Sequence, residues 1–280
     1  MLAQHCSEHG TVITDGSFMI DARLNFDNVA RPTCNSMMIC CAKSSHIPPS
    51  KVTKCHDFET HPTCGIRNPN GIEFKTVSMQ NKTLFANYAE FPWMMAVMDK
   101  DMKLLAGGSL IMDNVVITAA HTVVKIQNFR ELTVRGGEWN TQTELELCDH
   151  VDRKVENVIL HERFIKQNLQ NDIALLVLRD PFVMTPAINV ICLPPKNNNF
   201  ENHKCFSSGW GRKFFNVREL YQAYLKKVEM SVVESQQCQD LLRETRLGKD
   251  FVLDEGFLCA GKRVHSASLS TFLLLFDLFN

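Results

Sequence analysis

Short apolar runs of strand length, separated by polar turns, fill the chain from about Phe91 onwards. The runs are PWMMAVM, GGSLI, VVITAA, LTVRGG, KVENVIL, DIALLVL, CFSSGWG and LKKVEMSVV. Short strands at regular spacing with turn signals between them are typical of all-β barrels and sandwiches. The pattern therefore predicts an all-β fold for most of the chain.

One segment departs from this pattern. In ESQQCQDLLRE, Cys238, Leu241 and Leu242 stand at positions i, i+3 and i+4, which is the spacing of one helical face. Ser235 precedes them and has a side chain that commonly serves as a helix N-cap. We expect one helix here, with Ser235 as its cap.

The charge balance argues against two classes of partner. Of the 280 residues, 30 are Lys or Arg and 31 are Asp or Glu, which gives a net charge of −1. No long-range field then attracts the chain to nucleic acid or to an anionic membrane. The apolar run FLLLFDLF at 272–279 is about half the length that spans a bilayer, and it contains Asp277. We predict no nucleic-acid partner and no membrane anchor.

The cysteines predict an oxidising environment. The chain has 11 of them, and spacings such as Cys40-Cys41 and Cys55 to Cys64 in loop-like sequence are typical of a disulfide framework. We therefore expect a secreted, extracellular protein, in which Asn81 of the Asn-Lys-Thr sequon is a candidate N-glycosylation site. The start, MLAQHCSEHG, lacks the basic and apolar regions of a signal peptide, so we expect the leader to be missing from this sequence.

The sequence divides into four regions. Residues 1–45 have four cysteines and few apolar runs, which predicts a small module held by disulfides. Residues 46–90 begin as a polar linker with paired prolines, continue through Cys55 and Cys64, and have the character of an activation-type region. Residues 91–261 contain the predicted strands, and residues 262–280 form a divergent tail.

Several phrases together resemble a known family. EFPWMMAV, GGSLI, VITAAH, NDIALLVL, ICLPP, CFSSGWG and FLCAG occur over residues 90–261 in the order found in chymotrypsin-like (S1) serine proteases. The finer wording of CGIRNPNGIEF, RGGEWNTQTE and LKKVEMSVV is similar to the clip-domain serine protease homologs of arthropods. ITDGSFMIDAR, followed by Cys34 and Cys40-Cys41, is similar to the later part of their clip domain. The resemblance implies a partial clip module, then a chymotrypsin-like double β-barrel whose second barrel is incomplete.

The resemblance gives His121 and Asp172 the positions of a catalytic dyad. His121 of VITAAH matches the general base, and Asp172 of NDIALL matches the carboxylate that orients the imidazole. Taken alone, a histidine that ends a strand is more often an ordinary barrel residue, and an aspartate after asparagine more often caps a turn. Because both residues lie in phrases that occur in the family's order, we assign them the dyad positions. The assignment does not imply activity.

The nucleophile that the family requires is missing from the printed sequence. The motif Gly-Asp-Ser-Gly-Gly is expected after CAG, but the residues after Gly261 are KRVHSASLSTFLLLFDLFN, which contain no glycine. Ser266, Ser268 and Ser270 therefore lack the backbone of an oxyanion hole, and we expect them to belong to an ordinary flexible tail. Lys75-Thr76-Val77 also matches poorly the junction at which the family's zymogens are activated. We predict a pseudo-protease without proteolytic activity.

The wall beside His121 also differs from the family. Related proteases usually have a cysteine before GGSLI and another just after the histidine, and here those positions hold Ala106 and Thr122. A missing disulfide of this kind costs about 2–4 kcal/mol where nothing compensates. We expect this loop to be looser than in the family.

The resemblance also implies disulfide pairs, namely Cys6–Cys41, Cys64–Cys192 and Cys238–Cys259. The cysteines that it leaves unassigned are Cys34, Cys40, Cys55, Cys148 and Cys205. Family partners of Cys34, Cys40 and Cys205 would lie outside this sequence, whereas Cys55 and Cys148 are a possible pair that spacing alone cannot fix.

Cys55, His56, His61 and Cys64 offer four zinc-type ligands within ten residues. We disfavour a zinc site, because the two-residue spacing common between zinc cysteines is missing. We predict no metal and no cofactor.

Two functional interpretations remain at this point. The resemblance implies a secreted, non-catalytic cofactor or scaffold in a melanisation cascade, whose partners are prophenoloxidase or its activating protease. The alternative is a trypsin-like serine endopeptidase whose nucleophile-bearing segment is absent from this version of the sequence. Serine between Gly-Asp and Gly-Gly in a longer transcript would favour the enzyme, and glycine would favour the homolog.

Overall fold

The computed structural model describes the chain in several stretches. Side chains are described for 63–72, 84–142, 146, 148–196, 198–211 and 223–261, and backbone alone for 10–12, 41–43 and 276–277. Strands β1 (Gly10–Val12) and β2 (Cys41–Lys43) pair antiparallel in the predicted N-terminal module. Cys6, Asn81 and the cysteines 34, 40 and 55 lie outside the described residues, so the Cys6–Cys41 pair and the glycosylation site stay predictions.

Six strands form a closed barrel. They are β3 (Met94–Met98), β4 (Leu104–Met112), β5 (Val115–Thr118), β6 (Thr133–Gly136), β7 (Val151–Leu160) and β8 (Ala174–Leu178). Around the barrel their order is β3-β4-β5-β8-β7-β6, and every neighbouring pair is antiparallel. Each of these strands overlaps a predicted apolar run, so the all-β prediction is confirmed.

The interior of the barrel is filled by alternate residues of its strands. In β8, Ala174, Leu176 and Leu178 are buried while Leu175 and Val177 are only partly buried. This period of two is what a strand with one face in the core requires. Fully buried partners from the other strands are Met95, Val97, Leu110, Val116, Val134 and Val155.

Gly108 of the GGSLI phrase allows β4 and β5 to approach closely. A Cβ atom at this position would lie 2.7 Å from Cγ1 of Val116 and 3.0 Å from the carbonyl oxygen of Ile117. The first contact is shorter than real Cβ atoms show and the second is tight, so the close strand pairing favours glycine here.

The second unit is a four-stranded antiparallel sheet. Its strands are β9 (Lys204–Gly209), β10 (Lys226–Val233), β11 (Phe257–Gly261) and β12 (Phe276–Asp277), in the order β12-β11-β10-β9. Within the described residues this sheet does not close, in contrast to the first barrel. Strand β12 pairs with Phe257 and Leu258, so part of the predicted tail joins the sheet through its backbone.

The predicted helix is present, but its predicted cap is wrong by one residue. The first helix of the structure is the short α1 (Ala120–Val123), and the predicted one is α2 (Ser235–Arg243), with Glu234 at the N-cap position. The backbone amide of Ser235 donates a hydrogen bond to the Glu201 carboxylate at 3.2 Å. A side chain from another loop thus satisfies an amide of the first turn. In the described part of the chain, no helix is long and apolar enough to cross a bilayer.

One buried carboxylate joins three parts of the molecule. Glu90 precedes the barrel and its side chain is fully buried. It accepts hydrogen bonds from Lys227 of β10 at 2.8 and 2.7 Å and from the Nε of Arg67 at 3.2 Å. Residues 63–72, which we call the strap, are therefore held against both the barrel and the second sheet. A disulfide between Cys64 and Cys192 fastens the same strap to the end of the barrel.

The barrel core provides a direct test of the fold. We expect Leu176→Ala to lower the free energy of unfolding by about 2–5 kcal/mol, because it leaves a cavity at a fully buried site. Leu193→Ala is the matched control, since Leu193 is 52% exposed and should change stability by less than about 1 kcal/mol. Urea denaturation followed by tryptophan fluorescence measures both values. Equal losses for the two variants would contradict this placement of the core.

Two carboxyl groups beyond β6 are held in unfavourable surroundings. Burial, and then the nearby charge of Glu146, raise the pKa of Glu138, while Arg135 partly opposes the rise. Burial is also the main cause that raises the pKa of Glu146, whose carboxylate accepts the backbone amide of Asn140 at 3.0 Å. Both groups therefore bind protons more readily in the folded chain than in the unfolded chain.

A pH dependence follows from these two groups. Because their pKa values are raised by folding, their contribution to stability increases as the pH falls from neutral towards the ordinary carboxyl value of 4.5. We expect the wild type to gain stability relative to Glu138→Gln/Glu146→Gln between about pH 7 and pH 5. Urea denaturation across this range measures the difference. Parallel curves for the two proteins would contradict the prediction.

Candidate functional site

His121 is placed by two anchors at the end of β5. Thr118, the last residue of that strand, donates its hydroxyl proton to the carbonyl oxygen of Gly107 at 2.8 Å. Helix α1 then buries Ala120 and Val123 against the barrel core. His121 thus lies in a one-turn helix and not at the strand end that the sequence suggested, because the buried pair at i and i+3 favours a helical turn.

Asp172 is placed by a tight turn before β8. Leu169 and Asn171 both have left-handed backbones, with φ of 59° and 53°. The side-chain amide of Asn171 donates to the carbonyl oxygen of Arg163 at 2.9 Å, which holds the turn against the preceding loop. Left-handed conformations are unfavourable for a leucine, so the surrounding contacts must impose this turn.

The structure brings His121 and Asp172 together. Asp172 Oδ1 accepts the backbone amide of His121 at 2.7 Å, and Oδ2 lies 2.5 Å from the imidazole Nδ1. An ionised carboxylate only accepts hydrogen bonds, so opposite such a carboxylate Nδ1 is the donor and Nε2 is the ring nitrogen that Asp172 does not engage. The His121 side chain is 48% exposed and that of Asp172 is 14% exposed. This is the arrangement of a general base with its orienting carboxylate.

At Thr122, where the family usually has a cysteine, the structure has a hydrogen bond within the turn. The Thr122 hydroxyl donates to the carbonyl oxygen of Ala119 at 2.7 Å, within the same turn. Ala106, on β4, packs against the barrel core. The looser wall expected at this place stays a prediction.

One contact at the site has no signal in the sequence. The side-chain amide of Gln170 donates to Asp254 Oδ2 at 2.5 Å, and Asp254 Oδ1 accepts the backbone amide of Gly256 at 3.0 Å. The segment before β11 thereby contacts the turn that contains Asp172. The two partners are separated by 84 residues, and neither belongs to a motif that sequence reasoning could have used.

The structure shows which of the described cysteines are in disulfides and which is a free thiol. Cys64 is bonded to Cys192 and Cys238 to Cys259, the pairs that the resemblance implies. Cys148 is also in a disulfide, with a partner outside the described side chains, and Cys205 is a free thiol whose pKa is raised by burial. Because Cys64 is already bonded to Cys192, it cannot serve as a zinc ligand together with Cys55, His56 and His61. In the described ranges, no group of three His, Cys, Asp or Glu residues is arranged to hold a metal.

The geometry agrees with comparisons to known proteins. The family model described as Trypsin matches residues 82–269, which include the whole barrel, the dyad and the second sheet as far as β11. The chain belongs to the trypsin family of serine proteases. Its barrel and second sheet are consistent with the double-barrel architecture expected for this family.

Similar proteins show to which group within the trypsin family this chain belongs. Phenoloxidase-activating factor 2 of Galleria mellonella is 46% identical over 211 residues, which are 71% of this chain and 68% of that protein. Inactive CLIP domain-containing serine protease A28 of Anopheles gambiae is 29% identical over 283 residues, 94% of this chain and 73% of that protein. Inactive CLIP domain-containing serine protease A3 of Aedes aegypti is 35% identical, with 90% and 52% covered. This trypsin-family chain is therefore a clip-domain serine protease homolog.

The dyad can be tested without any enzyme assay. Asp172→Ala removes both acceptors for His121, so we expect the neutral imidazole to lose its preference for a proton on Nδ1 and the ring to become more mobile. Nitrogen-15 NMR of labelled histidine distinguishes the two tautomers. Asp180→Ala is the control, because Asp180 contacts only the neighbouring Arg179 among the ion pairs of the described residues. An unchanged His121 spectrum in Asp172→Ala would contradict the dyad.

Proposed function

We propose that this clip-domain homolog is a non-catalytic, secreted cofactor or scaffold in a prophenoloxidase cascade. The observation that carries the proposal is a formed His121–Asp172 dyad in a sequence without the Gly-Asp-Ser-Gly-Gly motif. A base and its orienting carboxylate cannot cleave a peptide bond without a nucleophile and oxyanion donors to stabilise the tetrahedral intermediate.

The size of the missing catalytic effect supports a non-catalytic role. Loss of the nucleophilic serine from a protease triad reduces turnover by about a million-fold. Loss of one oxyanion donor costs a further factor of about 10²–10³ where the effects are independent. The exposed imidazole of His121 alone does not compensate for factors of this size.

The partner class is supported by the relatives. One relative is named a phenoloxidase-activating factor and others are named inactive clip-domain proteases. Prophenoloxidase and its activating protease are therefore the partners to test. The disulfides Cys64–Cys192 and Cys238–Cys259 support a secreted, oxidised protein.

The proposal predicts a cofactor effect without intrinsic proteolysis. The purified chain should release no fluorophore from peptide amides with arginine or lysine before the scissile bond. Added to prophenoloxidase and an active clip-domain protease, it should raise the phenoloxidase activity above that obtained with the protease alone. Diphenol oxidation measured by absorbance reports this effect. No increase at any concentration of the chain would contradict the cofactor role.

His121→Ala separates a scaffold from a residual enzyme. A scaffold acts through its surface, so we expect this variant to retain the cofactor effect while its circular dichroism spectrum stays unchanged. Loss of the effect in a folded variant would instead assign a chemical role to the imidazole.

A trypsin-like endopeptidase is the second candidate, and the intact dyad geometry favours it. It requires a longer form of the protein that places a serine in Gly-Asp-Ser-Gly-Gly after the FLCAG strand. Long-read sequencing of the transcripts tests this: serine at that position supports the enzyme, and glycine supports the homolog.

A further inference from the structure

The strap is bound to the rest of the molecule by its backbone along its length. The amide of Gly65 donates to the carbonyl oxygen of Val190 at 2.8 Å, that of Asn68 to Glu90 at 3.1 Å, and that of Ile72 to Tyr88 at 3.2 Å. These bonds begin beside the Cys64–Cys192 disulfide and continue away from it. The covalent bond is therefore only one end of a longer contact.

Two strap residues are fitted to this surface. The Asn68 side-chain amide donates to the carbonyl oxygens of Ala89 at 2.9 Å and Pro186 at 3.1 Å. Gly71 has a left-handed backbone with φ of 72°, and a Cβ atom there would lie 2.9 Å from the carbonyl oxygen of Tyr88. The strap can follow the surface this closely only because this position is a glycine.

The Arg67 side chain binds between residues that precede the barrel and a residue of the second sheet. Its guanidinium donates from Nε and Nη2 to the buried Glu90 carboxylate, and it lies 4.0 Å from the ring centre of Phe206 and 5.1 Å from that of Phe91. Phe206 is on β9 of the second sheet, whereas Glu90 and Phe91 precede the barrel. Charge-assisted hydrogen bonds and stacking of a planar cation on aromatic rings are among the stronger side-chain contacts.

We propose that the strap is a non-covalent latch, and that Arg67 is the residue that retains it. The strap stays docked when every covalent connection to the barrel is broken, namely the Cys64–Cys192 disulfide, the disulfide that Cys148 forms and the peptide chain between the strap and Leu84. The surface made by Glu90, Phe91, Phe206 and Lys227 is thus a binding site for an arginine-containing peptide of the strap's sequence. This inference is independent of the proposed cofactor role, because it concerns only how the strap is held.

The experiment breaks these connections while sparing the Cys238–Cys259 disulfide. Cys64→Ser/Cys148→Ser/Cys192→Ser removes the linking disulfides without a reductant, and a recognition site for a viral protease is placed within residues 73–83. After cleavage, size-exclusion chromatography with mass spectrometry shows whether the N-terminal fragment elutes with the barrel. We expect it to remain bound in this background. Immediate release would overturn the proposal.

Substitution of Arg67 shows whether this residue retains the strap. On the same background, Arg67→Ala should release the fragment about tenfold faster or more, the change expected for loss of a charge-assisted hydrogen bond. Arg130→Ala is the matched control, because Arg130 makes an exposed ion pair of 3.5 Å with Glu156 and should not change release. Equal release from the two variants would overturn the role of Arg67.

A second measurement covers the case in which Arg67→Ala does not fold. A synthetic peptide of residues 63–72 with serine for Cys64, added to the cleaved background protein, should compete with the fragment and accelerate its exchange. The same peptide with alanine for Arg67 should not compete. Competition by both peptides, or by neither, would overturn the proposal without requiring any variant of the protein to fold.

Discussion

The fully buried carboxylate of Glu90 is the constraint on which the arrangement of this molecule depends. A charge cannot be taken out of water unless its lone pairs are satisfied, and removing one partner from a buried ion pair typically costs about 3–5 kcal/mol. Here the acceptor sites are occupied by Lys227 from the second sheet, Arg67 from the strap and the backbone amide of Asn87 at 2.7 Å. The barrel, the sheet and the strap can satisfy this carboxylate together only in one relative position.

The arrangement of the barrel and the second sheet also determines which segment lies beside the dyad. His121 and Asp172 both belong to the barrel, so their own geometry requires only the closed strand order that places the start of β8 beside the end of β5. The turn around Asp172 nevertheless contacts the segment that leads into β11 of the second sheet, through Gln170 and Asp254. An oriented imidazole alone does not make a protease, because the nucleophile and the oxyanion donors must come from a separate part of a trypsin-family chain. The dyad geometry would serve an enzyme, but by itself it shows the fold and does not show activity.

Sequence reasoning succeeded for the strands and failed at their ends for identifiable reasons. Apolar runs such as DIALLVL predicted strands because alternate burial in a barrel needs β-branched and aliphatic residues at strand length. The end of β5 was misplaced, since the burial of Ala120 and Val123 that forms α1 becomes visible only when the barrel core is present. Ser235 was wrongly expected to cap α2, because Glu201, distant in sequence, binds its amide instead. Local propensity is a weak guide wherever a distant side chain supplies the hydrogen bond.

The fold class, the family and the dyad residues could be predicted from the amino-acid sequence, because periodic apolar runs and ordered motifs are local properties of the chain. The absence of Gly-Asp-Ser-Gly-Gly from these 280 residues is likewise a property of the sequence. Which charged side chains meet became known from the folded structure alone. Arg67, Glu90 and Lys227 are separated by 23 and 137 residues and lie in three different phrases of the family pattern, which do not indicate that the three meet at one buried carboxylate. Such contacts follow from the desolvation of a specific group in the folded chain, and no pattern along the sequence records that burial.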